Sequence, residues 1–258
     1  MTGMKRIAII GGTGVEDLPK KTTFKRVETP YGASQEIFTE RRQDSELFFL
    51  ARHGLRHETP PHKVNYLANI WALKSLGVER IISTNAVGAI NLQLAPGSFV
   101  IPDDIIDFTK SRPSTFFNGP HVVHIDVTTP YCPEVRAALL SAAKNFNARG
   151  TALYACTEGP RFETPAEIRM MRQAGCDIVG MTNAPEAFLA RELVICYGAV
   201  CYVSNWAAGL QDRLTASEVI RMGKSIAPKL QEILEEAVTL LPEKRDCPCA
   251  ISQKESKV

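Results

Sequence analysis

The sequence lacks several features that would place it in particular classes of protein. It contains no run of about 18 apolar residues, so no membrane-spanning segment is predicted. Its 30 basic and 28 acidic residues leave a net charge of +2, which gives no reason to expect nucleic acid or an anionic membrane as a partner. The N-terminal residues MTGMKRIAIIGG lack the pattern of a signal peptide, and we therefore expect a cytoplasmic protein.

The glycine-rich turn near the N-terminus also lacks a diagnostic feature. A predicted buried strand, residues 5–10, leads into Gly11-Gly12-Thr13-Gly14. The third glycine of the dinucleotide-binding fingerprint is absent and Pro19 ends any long helix, which argues against a dinucleotide-dependent oxidoreductase. Such a turn either only reverses the chain or holds a phosphate with its backbone N–H groups and the Thr13 hydroxyl.

The spacing of the seven cysteines indicates no metal site. Most lie among apolar residues and are expected to be small buried side chains: Cys132, Cys156, Cys176, Cys196 and Cys201. Cys247 and Cys249 lie in a polar segment, and two ligands without C-x-x-C spacing are too few for a closed zinc site. For this pair, a local disulfide and an unpaired arrangement both remain possible interpretations.

Strand and helix patterns alternate along most of the chain. Buried strands are predicted at residues 5–10, 47–51, 80–84, 97–102, 151–156, 178–181 and 196–204. Helices are predicted over residues 62–76, 133–147 and 166–174, and from residues 185 and 215 onward. The alternation predicts an α/β fold, a single domain over residues 1–241 with a central mixed β-sheet flanked by helices. Residues 242–258 are polar and predict a flexible tail.

Two strand-to-helix junctions lie close together between Tyr154 and Glu192. The first reads TEGPRFET and places Phe162 and Glu163 directly behind a Gly-Pro break. The second follows a short apolar strand and places Thr182 at the start of a helix. An aromatic face suits a planar base or a sugar, a carboxylate accepts from an N–H donor, and a hydroxyl at a helix N-terminus suits an anion.

The segments TEGPRFETPAE and VGMTNAPEAFLARE resemble the trimeric purine nucleoside phosphorylase and methylthioadenosine phosphorylase family. The resemblance extends from Gly11 to about residue 241. It implies a fold of the nucleoside phosphorylase type and an enzyme of purine salvage that converts a purine nucleoside and inorganic phosphate into free base and ribose-1-phosphate. It implies no cofactor, with phosphate as a co-substrate.

The resemblance also assigns roles to individual residues. The family's phosphate-binding positions match Thr13, Arg52, His53, Asn85, Ala86 and Thr182. Its nucleoside-binding positions match Phe162, Met181, Asn205, Trp206, Ala207 and Ala216. Because these phosphate-binding side chains are present, a nucleotide-binding module without turnover is the weaker interpretation.

The choice of purine base is predicted from two departures from the methylthioadenosine branch. That branch carries a small hydroxyl residue at the position of Glu163, and aspartates at the positions of Asn205 and Ala207. An amide at residue 205 can donate to O6 or N7 of a 6-oxopurine, and Glu163 can accept from N1–H, which adenine lacks. We therefore expect Asn205 and Glu163 to be catalytic residues for inosine or guanosine. The methylthioadenosine activity is the weaker alternative.

The sequence leaves the 5′ end of the sugar and the assembly less defined. The 6-oxopurine branch has a histidine for the 5′-hydroxyl near Ala216, and this chain has none there, so a 5′-hydroxyl and a 5′-methylthio group, as in methylthioinosine, both remain open. A homotrimer, or two trimers joined as a hexamer, is expected because His57 and the pair Phe116-Phe117 resemble elements that complete a neighbouring subunit's site.

Overall fold

A computed structural model describes residues 4–12, 24–120, 122–253 and 256. Six strands precede the first α-helix, and strands and helices alternate one by one from the second α-helix onward. The strands are β1 Lys5–Gly11, β2 Phe24–Lys25, β3 Glu28–Thr29, β4 Gly32–Ala33, β5 Ile37–Arg41, β6 Ser45–Ala51, β7 Arg80–Ala89, β8 Phe99–Val100, β9 Asp104–Phe108, β10 Leu153–Thr157, β11 Ile178–Gly180 and β12 Cys196–Trp206. The α-helices are α1 Tyr66–Ser75, α2 Pro133–Ala142, α3 Pro165–Gln173, α4 Asn183–Glu192 and α5 Ala216–Leu240. None of these helices combines the length and the apolar character needed to cross a bilayer.

The central sheet mixes parallel and antiparallel strands, which confirms the predicted fold class. Its strands follow the order β2-β5-β6-β1-β7-β11-β10-β9, and β12 pairs with β7 and β8. The pairs β1–β6, β1–β7, β7–β12, β10–β11 and β9–β10 are parallel, whereas β5–β6, β7–β11, β8–β12 and β2–β5 are antiparallel.

Strand β7 has three partners, and this arrangement opens a gap in the sheet. One edge of β7 pairs with β12 along its whole length. On the other edge, β1 pairs with residues 80–83 and β11 pairs in the opposite direction with Gly88 and Ala89. Among the described residues, 84–87 therefore have no strand partner on that edge. Ligands of open α/β sheets bind where neighbouring strands diverge in this way.

Apolar side chains cover both faces of the sheet. In β1, Ala8 and Ile10 pack with α1 and α4 on one face, whereas Ile7 and Ile9 pack with α2 and α5 on the other. This alternation follows from the two-residue period of a strand. The result is a three-layer arrangement that holds the gap along β7 in a fixed position.

The helix boundaries follow local capping signals. The capping box predicted at Thr215 and Glu218 is present and opens α5. A second capping box, Thr164 with Glu167, opens α3. The predicted helix over residues 62–76 is shorter than expected, because Asn65 caps it through a bond from the Ala68 amide to its side chain, and α1 begins only at residue 66. Before α1, residues 61–63 form a separate 3₁₀ turn.

Residues 245–251, which lie in the segment that its polar composition predicts to be a flexible tail, contact the main body of the protein. Pro248–Ile251 forms a 3₁₀ helix, and the side chains of Cys247 and Cys249 are 6% and 1% exposed. The Asp246 amide donates to the Glu134 carboxylate over 2.6 Å, and Arg245 donates to the Val194 carbonyl over 2.8 Å. Two buried thiols and hydrogen bonds to the main body hold this segment. Neither contribution can be predicted from the hydrophobicity of its residues.

Candidate active site

A cavity of about 250 Å³ lies beside the gap along β7. It is lined by residues from the ends of β6, β7, β11 and β12, from the loop after β10 and from the start of α5. Most of the predicted site residues line it: Arg52, His53, Asn85, Ala86, Phe162, Glu163, Met181, Thr182, Asn205, Ala207 and Ala216. The fold thus brings these residues together around one cavity. Thr13 lies outside the described residues.

Trp206 is the exception among the described site residues. Its indole packs against the apolar layer that contains α1 and α4 and does not line the cavity. Because successive side chains of a strand point to opposite faces, Asn205 faces the cavity and Trp206 turns away. The backbone of Trp206 still contributes, because its carbonyl accepts a hydrogen bond from Asn205.

Arg52 is fully buried and is held by several acceptors at once. Its Nε and Nη2 donate to the two carboxylate oxygens of Glu186 over 2.5 and 2.9 Å. Nη2 also donates to the Ser83 hydroxyl over 2.6 Å, and Nη1 donates to the Thr84 carbonyl over 3.1 Å. Burial disfavours the charged form, but the Glu186 carboxylate outweighs it and raises the pKa of Arg52 well above its usual value. Arg52 is therefore a permanent cation at the wall of the cavity.

Within the part of the chain that the structure describes, one N–H group of the Arg52 guanidinium has no acceptor and is available to a ligand. Of its five N–H groups, four are used by Glu186, Ser83 and Thr84, and the remaining one is on Nη1. Nη1 lies 3.0 Å from the position that a Cβ on Gly12 would occupy, and that Cβ would also lie 2.6 Å from the Thr84 carbonyl oxygen. Gly12 therefore has to be glycine for the turn to approach Arg52 this closely.

Hydrogen bonds join two of the other predicted phosphate-binding residues, Asn85 and Thr182, to the Ser83 hydroxyl that also binds Arg52. The Asn85 amide donates to the Ser83 hydroxyl over 3.1 Å, and the Thr182 hydroxyl donates to the Asn85 side-chain oxygen over 2.8 Å. His53 Nδ1 lies 2.8 Å from the Thr59 carbonyl oxygen, which places a proton on Nδ1. Strands β6 and β7 and the start of α4 thus bring their polar groups to one wall of the cavity.

Asn205 is oriented by two hydrogen bonds. Its side-chain oxygen accepts from the Ser204 hydroxyl over 2.5 Å, and its Nδ2 donates to the Trp206 carbonyl over 2.8 Å. No acceptor among the described residues binds the second hydrogen on Nδ2, which is therefore available to a ligand. A Cβ on Gly88 would lie 3.3 Å from this nitrogen, so the absence of a side chain at residue 88 makes room for the amide.

Glu163 shares the cavity with Asn205. Its carboxylate accepts a hydrogen bond of 2.6 Å from the Thr157 hydroxyl. Burial raises the pKa of Glu163, and the bond from Thr157 offsets part of that rise. The cavity therefore presents one oriented amide donor and one carboxylate acceptor, the pair that the sequence analysis assigned to the base.

The start of α5 forms an apolar part of the cavity wall. Leu214, Ala216, Val219 and Ile220 line it together. Ala216 was predicted to lie near the 5′ end of the sugar, and its neighbours add no charged or amide side chain. This part of the wall suits an apolar substituent better than a hydroxyl.

Sequence analysis missed two residues that support the site, Arg112 and Glu186. Arg112 donates to the carbonyls of Met181, Ala184 and Glu158 over 2.6, 2.8 and 2.6 Å. It thereby ties the loop after β10 to the start of α4. No local pattern marks either residue, because their partners are distant in sequence.

His57 was predicted to serve a neighbouring subunit, and it lines the cavity of its own chain. Its ring centroid lies 4.7 Å from that of His53, and its backbone has a φ of 56°, which is uncommon for a residue with a side chain. The side chain is exposed at the mouth of the cavity.

Comparison with known proteins identifies the family of this chain. The model of the Phosphorylase superfamily matches residues 6–239. The 6-oxopurine nucleoside phosphorylase of Pyrococcus furiosus is 52% identical over 95% of this chain and 97% of its own length. A protein of Methanopyrus kandleri named as a probable S-methyl-5′-thioinosine phosphorylase is 49% identical over 96% of this chain and 97% of its own length.

Solved structures give the same result for the fold. The crystal structure of a methylthioadenosine phosphorylase from an antarctic soil metagenomic library superposes with a TM-score of 0.90, at 36% identity, over 99% of this chain and 93% of that one. The methylthioadenosine phosphorylase of Schistosoma mansoni in complex with adenine superposes with a TM-score of 0.87, at 32% identity, over 93% of both chains. The chain belongs to the phosphorylase superfamily.

Proposed function

We propose that this protein is a purine nucleoside phosphorylase that cleaves 6-oxopurine nucleosides, inosine or guanosine, to free base and ribose-1-phosphate in purine salvage. The observation that carries the proposal is the pairing of Asn205 and Glu163 in one cavity with the Arg52 cluster. The name of the Pyrococcus furiosus relative supports the same substrate class. No cofactor is needed, and inorganic phosphate is the second substrate.

The reaction requires the cavity to stabilise two charges. As the ribosyl C–N bond breaks, positive charge grows on the sugar and negative charge grows on the departing purine. Arg52, with Asn85 and Thr182, holds phosphate beside C1′, where the anion is both the nucleophile and the electrostatic partner of the sugar. Phe162 and Met181 contact the nucleoside, and Met181 packs under the ribose.

Base selection depends on the direction of two hydrogen bonds. Ionised Glu163 accepts from N1–H, a group that hypoxanthine and guanine have and adenine lacks. Ser204 and the Trp206 carbonyl hold the amide of Asn205 with one N–H directed to the ligand, and that N–H donates to O6 or N7 as negative charge builds on the base. Each mismatched bond costs about 1–3 kcal/mol, so two mismatches disfavour adenosine strongly.

Methylthioinosine is a second candidate substrate, and the apolar wall at the start of α5 favours it. Leu214, Ala216 and Ile220 offer a methylthio group an apolar surface and offer a 5′-hydroxyl no polar side chain. The relative from Methanopyrus kandleri carries the corresponding name. Both substrates share the 6-oxopurine base, so the roles of Asn205 and Glu163 are the same for each.

The proposed assembly is a homotrimer, or two trimers joined as a hexamer, in the cytoplasm. The exposed His57 at the mouth of the cavity and Leu55 beside it, which is 41% exposed, support a subunit contact there. Phe116 does not, because it packs in its own chain with ring centroids 5.2 Å from Tyr31 and 5.8 Å from Trp71. Light scattering that shows a fully active monomer would rule this assembly out.

Product identification with and without phosphate tests the proposed reaction. Incubation with inosine and phosphate should yield hypoxanthine and an equal amount of ribose-1-phosphate. Omitting phosphate should abolish base release. Free ribose as the product, or base release that does not depend on phosphate, would identify a hydrolase and overturn the proposal.

A further inference from the structure

Four cysteines from separate parts of the chain meet on the face of the sheet covered by α2 and α5. This cysteine cluster consists of Cys132, Cys196, Cys247 and Cys249. All four sulfur atoms lie within 4.8 Å of one another, and the sulfurs of Cys196 and Cys247 are 3.3 Å apart. Every member is at most 6% exposed. Cys247 and Cys249 alone are too few ligands for a closed metal site, but the fold brings Cys132 and Cys196 beside them.

The backbone fixes the positions of the cluster from three sides. Cys132 directly precedes α2, Cys196 is the first residue of β12, and the amide of Cys132 donates to the Tyr197 carbonyl over 2.7 Å. The tail is joined to this corner by the bond from the Asp246 amide to Glu134. Three separate parts of the fold therefore bring the four thiols together.

The spacing of the sulfur atoms fits a tetrahedral ion. Zinc–thiolate bonds of about 2.3 Å place the sulfurs of a tetrahedral site about 3.8 Å apart. The sulfurs of Cys196 and Cys247 are 3.3 Å apart and no two sulfurs of the cluster are more than 4.8 Å apart, so the tetrahedral value falls within the observed range. Four thiolates and no other donor in the group favour zinc among the common metal ions.

The surroundings supply positive charge for a zinc tetrathiolate, which carries a net charge of −2. Cys132 is the N-cap of the ten-residue helix α2 and makes no side-chain capping bond there, so its sulfur lies at the positive end of the helix dipole. Arg80 is fully buried and is the register partner of Cys196 in β7, although its guanidinium also lies 3.9 Å from the Glu79 carboxylate and 4.0 Å from the Glu134 carboxylate. Arg191 is 5% exposed and forms no ion pair with any carboxylate in the described part of the chain.

We propose that the cysteine cluster is a closed structural site for one Zn²⁺ ion, which fastens the C-terminal segment to the body of the protein. Four protein ligands leave no open coordination position, so the ion takes no part in catalysis. Cys196 and Asn205 lie nine residues apart on β12, which separates the cluster from the base-binding amide by roughly 30 Å. The site therefore affects stability and leaves the chemistry of the cavity unchanged.

Metal analysis and thiol counting on the same preparation test the proposal. The full chain is purified under reducing conditions without a metal-affinity step. Mass spectrometry of the metals should find about one zinc per chain, and thiol titration in denaturant with a chelator should find all seven cysteines reduced. Cys249→Ser should lose the zinc and lower the melting temperature by about 10 °C or more, with unchanged activity at 25 °C. Cys176→Ser is the matched control, because Cys176 is buried outside the cluster and the variant should keep its zinc.

Several outcomes would overturn the assignment. Absence of metal with seven free thiols would leave the cluster as packed side chains. Fewer than seven thiols, with a mass increase on reduction, would identify disulfides. One iron per chain, with no zinc, would show that the metal assignment is wrong. If Cys249→Ser does not fold, cobalt exchanged into the wild-type protein decides the question. Thiolate-to-cobalt charge-transfer bands would support the site, and their absence would refute it.

Discussion

Replacing Arg52 by alanine should destabilise the whole fold and should also weaken phosphate binding. The family resemblance assigns Arg52 to phosphate binding, and in the structure two of its nitrogens are engaged by Glu186 over 2.5 and 2.9 Å. The two side chains are 1% and 2% exposed, so removing one leaves an unpaired buried charge on the other. Breaking a buried pair in this way costs about 3–5 kcal/mol of unfolding free energy. At about 2–4 °C per kcal/mol for a domain near this size, the melting temperature should fall by roughly 6–20 °C.

Differential scanning calorimetry of two matched variants measures this effect. Arg42 and Glu40 form an ion pair of 2.6 Å whose side chains are 34% and 39% exposed, so Arg42→Ala tests the loss of a surface pair. Such pairs contribute about 0–1 kcal/mol, and the control should melt within about 4 °C of wild type. The double variant Arg52→Ala/Glu186→Ala should be less destabilised than the sum of the two single variants, because neither charge is left alone.

The comparison also separates stability from binding. Added phosphate should raise the melting temperature of wild type, and of Arg42→Ala by the same amount, and should raise that of Arg52→Ala less. An Arg52→Ala variant that melts within a few degrees of the control would refute the inference that Arg52 and Glu186 form an energetically coupled buried pair.

Three further changes probe the cavity. Asn205→Asp replaces the amide donor by an acceptor that faces the Trp206 carbonyl. The kcat/KM for inosine should therefore fall at least tenfold, and the ratio of adenosine to inosine turnover should rise. An unchanged ratio would show that residue 205 does not select the base. Thr157→Val removes the bond that lowers the pKa of Glu163, so the acid limb of the pH profile for inosine should move to higher pH, whereas Thr157→Ser should leave it in place. Arg112→Ala should lower kcat/KM for inosine about tenfold or more, because the carbonyls of Met181, Ala184 and Glu158 lose their donor. Arg112→Lys should show a similar loss, because lysine lacks the forked donor geometry. Steady-state kinetics with both variants would check this.

Local patterns predicted the elements that position the site. The capping box at Thr215 predicted the start of α5, and the Gly-Pro break before Phe162 predicted the loop that lines the cavity. Because each of these signals involves only a few neighbouring residues, it can be read from the sequence alone. The orientation of Trp206 away from the cavity was not predicted. The family resemblance assigns residue 206 to the site, but the alternation of side chains along the strand determines that its neighbour Asn205 faces the cavity instead.

Features that depend on distant partners were not predictable. Arg112 looks like one polar residue of a loop, and Glu186 looks like an ordinary acid in a helix, until the fold places each beside its partners. The C-terminal segment was expected to be flexible because its composition is polar. Its two cysteines contact thiols more than fifty residues away, as the 51-residue separation of Cys196 and Cys247 shows, and no local periodicity encodes such a contact.

The most direct test of the account is the ratio of kcat/KM for 6-oxopurine and 6-aminopurine nucleosides, measured with saturating phosphate in one assay. Inosine, guanosine and methylthioinosine are compared with adenosine and methylthioadenosine. Each of the two hydrogen bonds, from Glu163 and from Asn205, contributes about 1.4 kcal/mol or more. The kcat/KM for inosine should therefore exceed that for adenosine by at least about a hundredfold, and the same should hold for methylthioinosine over methylthioadenosine. Equal or greater efficiency with adenosine or methylthioadenosine would contradict the account.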